Sequence, residues 1–327
     1  MDTLPLDVNH PAVRDFLALT RLQVLTPLSL VINLATVLVC SIVVKPSLGG
    51  VSGHRPTAIS PSTPVIGIYI LALYVMQVGY CVLLVLATKP ETKKTLIKGV
   101  GLSLVFSNFL MAIWAITWVM EWFLVATILQ GVMLILLLYS NIALLVYHPP
   151  DPSRPFDTAL IHAPLRFFFI LPFSLLFPLC LFITLGFVHN PAVSPGSDPD
   201  FSGWHVWPTF GVVLGTNIVG LIVVLLRRDI VWTVAATWIC ISIWSLRPKP
   251  VPIYATVIIF TALHPLALIA AELYHRFHKR QPIALPDDEE HPGLYRHQGE
   301  QERTRRESER APRERAPGEV SSGDIWS

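Results

Sequence analysis

The chain has 327 residues, of which 53% are hydrophobic and 14% charged, with a formal net charge of +2. Soluble domains carry about 25% charged residues, so a water-soluble globular fold is excluded. The near-balanced charge leaves no electrostatic footprint for nucleic acid, which is not an expected partner.

Residues 1–23 are expected to form a cytosolic N-terminal segment. They lack the basic start, short apolar core and cleavage site of a secretory signal, in that order. Asp2, Asp7 and Asp15 argue against a mitochondrial presequence. Phe16, Leu17 and Leu19 leave two readings open for residues 11–23, a helix lying along the membrane surface or a solvated one.

Eight apolar runs follow, at 24–44, 65–87, 100–119, 123–147, 165–188, 206–226, 230–246 and 253–274. A bilayer requires roughly 20 apolar residues per helix; the seventh run is the shortest. Hydrocarbon admits only helices or closed barrels, and no ten-residue alternation suggests a barrel. The expected fold is all-α, a polytopic transmembrane helical bundle of about eight spans over residues 24–274. Twenty Lys and Arg fall on the side of the termini and four on the other, so both termini are expected to be cytosolic. Residues 275–327 are strongly charged and read as a disordered cytosolic tail. Within that tail, Arg305-Arg306-Glu307-Ser308 fits a basophilic-kinase pattern, making Ser308 a candidate phosphorylation site.

Six uncharged amides lie at depth: Asn33, Gln77, Asn108, Gln130, Asn141 and Asn217. Each needs partners in a water-free interior. Interhelical hydrogen bonding and the lining of a ligand cavity both remain open. No charged side chain occupies the middle of a span, which argues against a proton-coupled transporter. His264 lies mid-span before Pro265, whose ring removes a backbone donor and frees the Thr261 carbonyl. It reads either as a structural histidine at a kink or as a ligand contact. Pro172 and Pro178 predict two bends or one wide break in the fifth span. Gly211 and Gly215 form a small-xxx-small face suited to helix contact and to an oligomer. Cys40, Cys81, Cys180 and Cys240 each fall in a different span, with neither disulfide nor zinc spacing. They are expected to pack as small hydrophobes, and no metal or cofactor is expected.

Trp114, Trp118 and Trp122 recur every four residues, one stripe near the outer end of the third span. Trp204 and Trp207 begin the sixth span at that level and Trp244 ends the seventh there, whereas Trp232 marks the cytosolic border. An aromatic belt occupies both faces of a membrane. The one-sided set leaves open a second reading, a cavity for a flat apolar ligand. The candidate ligand-binding residues are therefore Trp114, Trp118, Trp122, Trp204, Trp207, Trp244, Asn108 and His264.

The stretch from Ser107-Asn108 to Trp114, then Trp118 and Glu121-Trp122, resembles bacterial tryptophan-rich sensory proteins, distant relatives of the translocator protein. So do Arg166 to Ser174, with its Leu-Pro-Phe-Ser, and Gly203-Trp204 through Arg227-Arg228-Asp229-Ile230. The chain as a whole is similar to a fungal integral-membrane family. The translocator protein has five spans rather than eight. The resemblance implies binding of a flat apolar ligand of the porphyrin or sterol class.

Enzyme signatures are missing: no His-Glu-x-x-His, Gly-x-Ser-x-Gly, Walker loop or paired intramembrane aspartates. The protein is not expected to be an enzyme. His162 and Arg166, one helical turn apart at the cytosolic surface, read as headgroup anchors or as holders of a lipid phosphate. The leading expectation is a ligand-binding or sensory membrane protein with an aromatic cavity open toward the outer leaflet. The alternatives are a small-molecule or lipid transporter or channel, and a scaffold acting through its tail. Residence is expected in an endomembrane or the plasma membrane.

Overall fold

The computed structural model describes residues 11–148, 155–189, 203 and 205–278. The bundle is the unit Met1–His275, and a second unit, Arg276–Ser327, enters the described residues only in the last turn of the final helix. Trp204, Ser308 and most of the expected tail therefore lie outside the described residues.

Among the described residues every regular element is a helix. α1 (Pro11–Ile42) and the short α2 (Leu48–His54) lead into α3 (Thr63–Leu86). Next come α4 (Pro90–Lys94), a π-helical stretch Thr95–Val100, α5 (Ser103–Val119) and α6 (Phe123–Tyr147). A single turn α7 (Pro155–Asp157) and a π-helical stretch Thr158–His162 precede α8 (Ala163–Leu171), a π-helical turn Pro172–Leu176 and α9 (Phe177–Thr184). The last three helices are α10 (Val206–Arg227), α11 (Ile230–Trp244) and α12 (Val251–His278).

Among the described residues six helices are long and apolar enough to cross a bilayer. The other two expected spans take a different form. The third is a bent pair, Pro90–Val100 and Ser103–Val119, meeting at 45°. Gly101 makes the bend with φ +53, where an added Cβ would also press to 3.1 Å from the Ile97 carbonyl oxygen. Only glycine enters that conformation without cost. The basic stretch around Lys93, Lys94 and Lys98 thereby leaves the axis of α5. The seventh, α11, has 15 residues, about 22 Å at the α-helical rise against a hydrocarbon core of about 30 Å.

Residues 11–23 are not a separate surface helix. They are the first turns of α1, which runs unbroken for 32 residues.

The fifth span is the axis of the bundle. Of its most apolar stretch 72% is buried, against 22–33% in the other five long spans. Pro172 and Pro178 do not break it. The Phe177 N–H reaches back five residues to the Pro172 carbonyl, so one π-helical turn absorbs the missing donors. Neighbours grip this axis at several heights. From α3, the Tyr69 hydroxyl donates to the Phe167 carbonyl at 2.7 Å, and its ring stacks on Phe167 at 4.2 Å. From α6, the Asn141 amide donates to the Leu165 carbonyl at 3.4 Å. From α5, the Trp114 indole faces the Cys180 sulfur at 3.3 Å.

Three of the six depth amides meet between α1, α3 and α5. Asn33 Nδ2 donates to Asn108 Oδ1 at 3.0 Å, and Asn108 Nδ2 donates to Gln77 Oε1 at 2.9 Å. The Tyr74 hydroxyl donates to Asn33 Oδ1 at 3.2 Å. All four residues are buried. Gly211 and Gly215 face open space, with nothing within 4 Å of an added Cβ.

The amide network predicts pairwise coupling between α1 and α5. Asn33→Ala and Asn108→Ala should each lower thermal stability in detergent, with a double-mutant coupling of about 0.6–1.7 kcal/mol. Strict additivity would show that this hydrogen bond contributes nothing.

A candidate ligand cavity beside the central span

Arg166 lies on the first turns of α8, and Asp229 lies in the tight turn between α10 and α11. Their side chains form an ion pair at 2.6 Å, with 10% and 4% of each exposed. Arg166 is therefore not a headgroup anchor. An isolated guanidinium so deep is costly, and Asp229 supplies its counter-charge. The same carboxylate caps α11, accepting the Trp232 N–H at 3.1 Å. One acidic side chain thus fixes the start of α11 against the central span.

Beside this pair lies a cavity of about 420 Å³, within the range of about 300–1,000 Å³ for small-molecule sites. Leu134, Leu138 and Ile142 of α6 form one wall, and Val219 and Val223 of α10 the opposite one. Phe169, Phe173 and Trp232 form the back. Phe169 and Phe173 stack at 5.5 Å, and Trp232 meets them at 5.8 and 6.2 Å. Such offset and edge arrangements are the favoured ones for aromatic groups. Asn141, Arg166, Arg227 and Asp229 close one end. Leu138, Ile142 and Val219 are exposed, so the mouth opens on the bundle perimeter, between α6 and α10. The site is an apolar slot with aromatic backing, bordered at one end by Arg227 and the Arg166–Asp229 ion pair.

Trp232 fits there because Gly220 has no side chain. A Cβ at Gly220 would sit 2.9 Å from Trp232 Nε1 and 3.3 Å from His264 Nε2. His264 Nδ1 donates to the Phe260 carbonyl at 2.8 Å. His264 therefore stands behind Trp232, fully buried, and does not line the slot.

The other candidates from the sequence lie elsewhere. Trp114 and Trp118 come together at 5.7 Å, both buried in the core. The Trp118 indole donates to the Leu48 carbonyl at 3.1 Å, tying α5 to α2. Trp122 and Trp207 are 58% and 65% exposed. The Trp244 indole nitrogen is buried without a partner among the described residues. Asn108 belongs to the amide network. Sequence reasoning passed over Trp232 as a border marker and never assigned Phe169 or Phe173. Two of the segments that carry the resemblance, Arg166 to Ser174 and Arg227-Arg228-Asp229, already held five of the cavity's residues.

Residues 23–272 match the family described as TSPO-like protein. The chain belongs to the TSPO-like protein family. This membership supports a multi-pass membrane protein of a sensory or ligand-binding kind. No curated protein and no solved structure matches the chain.

A smaller cavity of about 260 Å³ lies at the opposite end, among residues 49–63, His189 and the turn before α12. There Lys249 Nζ donates to the Ser60 carbonyl at 2.6 Å. The Ser62 N–H meets the Ser242 carbonyl at 2.7 Å. Burial pushes the Lys249 ammonium down to about 7.

Two predictions follow from these charges. Arg166→Met strands a buried carboxylate and should cost about 3–5 kcal/mol of stability. Adding Asp229→Asn, which keeps the cap, should restore most of it. Unfolding titrations of the single and double variants in detergent measure this. For Lys249, the unfolded chain retains the ordinary value of 10.5 while the folded chain titrates near 7. Between those limits the unfolded state binds the extra proton. Stability should therefore be lowest below pH 7 and rise toward pH 10. Lys249→Met should abolish that rise in thermal midpoints measured at pH 6.5 and 9.

Proposed function

We propose that the protein is a membrane ligand-binding protein whose site is the slot between α6, α8, α10 and α11. Its ligand is a flat or elongated apolar molecule with an acidic group. The carrying observation is an apolar slot backed by three clustered aromatic rings and bordered at one end by Arg227 and the Arg166–Asp229 ion pair, Asp229 being the one acidic lining residue among the described residues. The apolar body packs on Phe169, Phe173 and Trp232. The acidic group lies toward Arg227, the arginine that Asp229 does not neutralise. The mouth faces the perimeter, so the ligand arrives laterally from the lipid. Porphyrins, with flat rings and carboxylates, fit this chemistry better than neutral sterols. Family membership supports binding rather than turnover as the activity.

The test is ligand-induced quenching of tryptophan fluorescence in the purified protein, with a porphyrin dicarboxylate as probe. Saturable quenching is expected. Phe173→Ala and Arg227→Gln should each weaken binding about tenfold, while Trp114→Phe should leave it unchanged. Loss in Trp114→Phe with retention in Phe173→Ala would move the site to the Trp114–Trp118 stripe and overturn the proposal.

A further inference from the structure

A third cavity, a cleft of about 530 Å³, opens at the basic end of the bundle, away from the aromatic slot. The early turns of α1 form one side, through Asp15, Phe16 and Leu19. The bent segment before α5 forms the other, through Lys93, Lys94 and Lys98. The meeting of these two walls was not expected from the sequence. One exists because α1 continues well ahead of its apolar run, and the other because Gly101 turns Pro90–Val100 out of line with α5.

We propose that this cleft binds the headgroup of a lipid carrying phosphomonoester groups, drawn from the leaflet that the basic end contacts. Three observations carry it. First, three lysines line this one cleft, and none of them is in an ion pair among the described residues. A phosphodiester lipid brings one negative charge and would leave two ammonium groups uncompensated. A phosphomonoester alone brings about −1.5 to −2, and lysine is an effective point-charge partner for it. Second, the positive field is felt by a neighbour. His148, which meets the Thr95 hydroxyl at 3.3 Å, is held below its ordinary value, first by desolvation and then by Lys94 and Lys98. Third, Phe16 stands 68% exposed on the rim. An apolar ring beside a lysine cluster suits the boundary between headgroups and acyl chains. A soluble phosphate compound would make no use of it.

Among the described residues Asp15 is the one acidic group lining the cleft, and its removal should tighten binding.

The experiment uses the full chain in neutral detergent, titrated calorimetrically with dioctanoyl phosphatidylinositol 4,5-bisphosphate. Each lysine near an anionic surface contributes about fivefold in affinity. The triple variant Lys93→Gln, Lys94→Gln, Lys98→Gln should therefore bind about a hundredfold more weakly, with unchanged circular dichroism. Asp15→Asn should bind several-fold more tightly, and dioctanoyl phosphatidylserine should bind far more weakly than the bisphosphate. Equal affinity in the triple variant would place binding elsewhere, such as on the arginines after residue 276, and would overturn the proposal. Equal affinity for the free inositol phosphate headgroup would overturn the assignment to a lipid.

Discussion

A guanidinium inside a hydrocarbon-embedded bundle cannot stand alone, and the answer to that constraint organises this protein. Arg166 projects from the central span, and Asp229 reaches it from a turn of only two residues between α10 and α11. Because the same carboxylate also caps α11, charge neutralisation and helix initiation are one event. The position of Trp232, three residues further along, follows from both. The aromatic slot is therefore held by electrostatics at one end and by ring packing along its back.

The central span shows a second constraint at work. A helix enclosed on all sides has no solvent to satisfy freed carbonyls. Two prolines in such a helix would be expensive if they opened it. The π-helical turn keeps the hydrogen-bond ladder running at a longer reach, so the span remains continuous. The side chains Phe169 and Phe173, on either side of the join at Pro172, stay stacked.

Much of this architecture was legible in the sequence. Hydrophobic run length alone located all eight apolar segments, and the fourth, Phe123–Tyr147, to the residue. The bend at Gly101 was not, because a glycine inside an apolar run carries no sign of its dihedral angle. The amide residues were visible, but which of them meet depends on helix rotation, a property that apolar periodicity barely encodes when every face is apolar. The tryptophan stripe illustrates the same difficulty. Spacing of four shows that Trp114 and Trp118 share a face, yet not whether that face meets a cavity or another helix; here it meets the core. Trp232 stood alone in sequence, and its partners came from a span more than fifty residues away.

The shortness of α11 reaches beyond the fold itself. A helix of 15 residues beside longer ones creates a hydrophobic mismatch on one side of the bundle, and the bilayer there must thin or the helix must be drawn inward. The aromatic slot has α11 as part of its wall, with Trp232 at the end nearer the polar group. In a thick, sterol-rich membrane the mismatch grows, and the load falls on the Asp229 turn that joins α11 to its neighbours. The shape of the slot is therefore tied to bilayer thickness, which makes the lipid composition around the protein a variable in the geometry of that cavity.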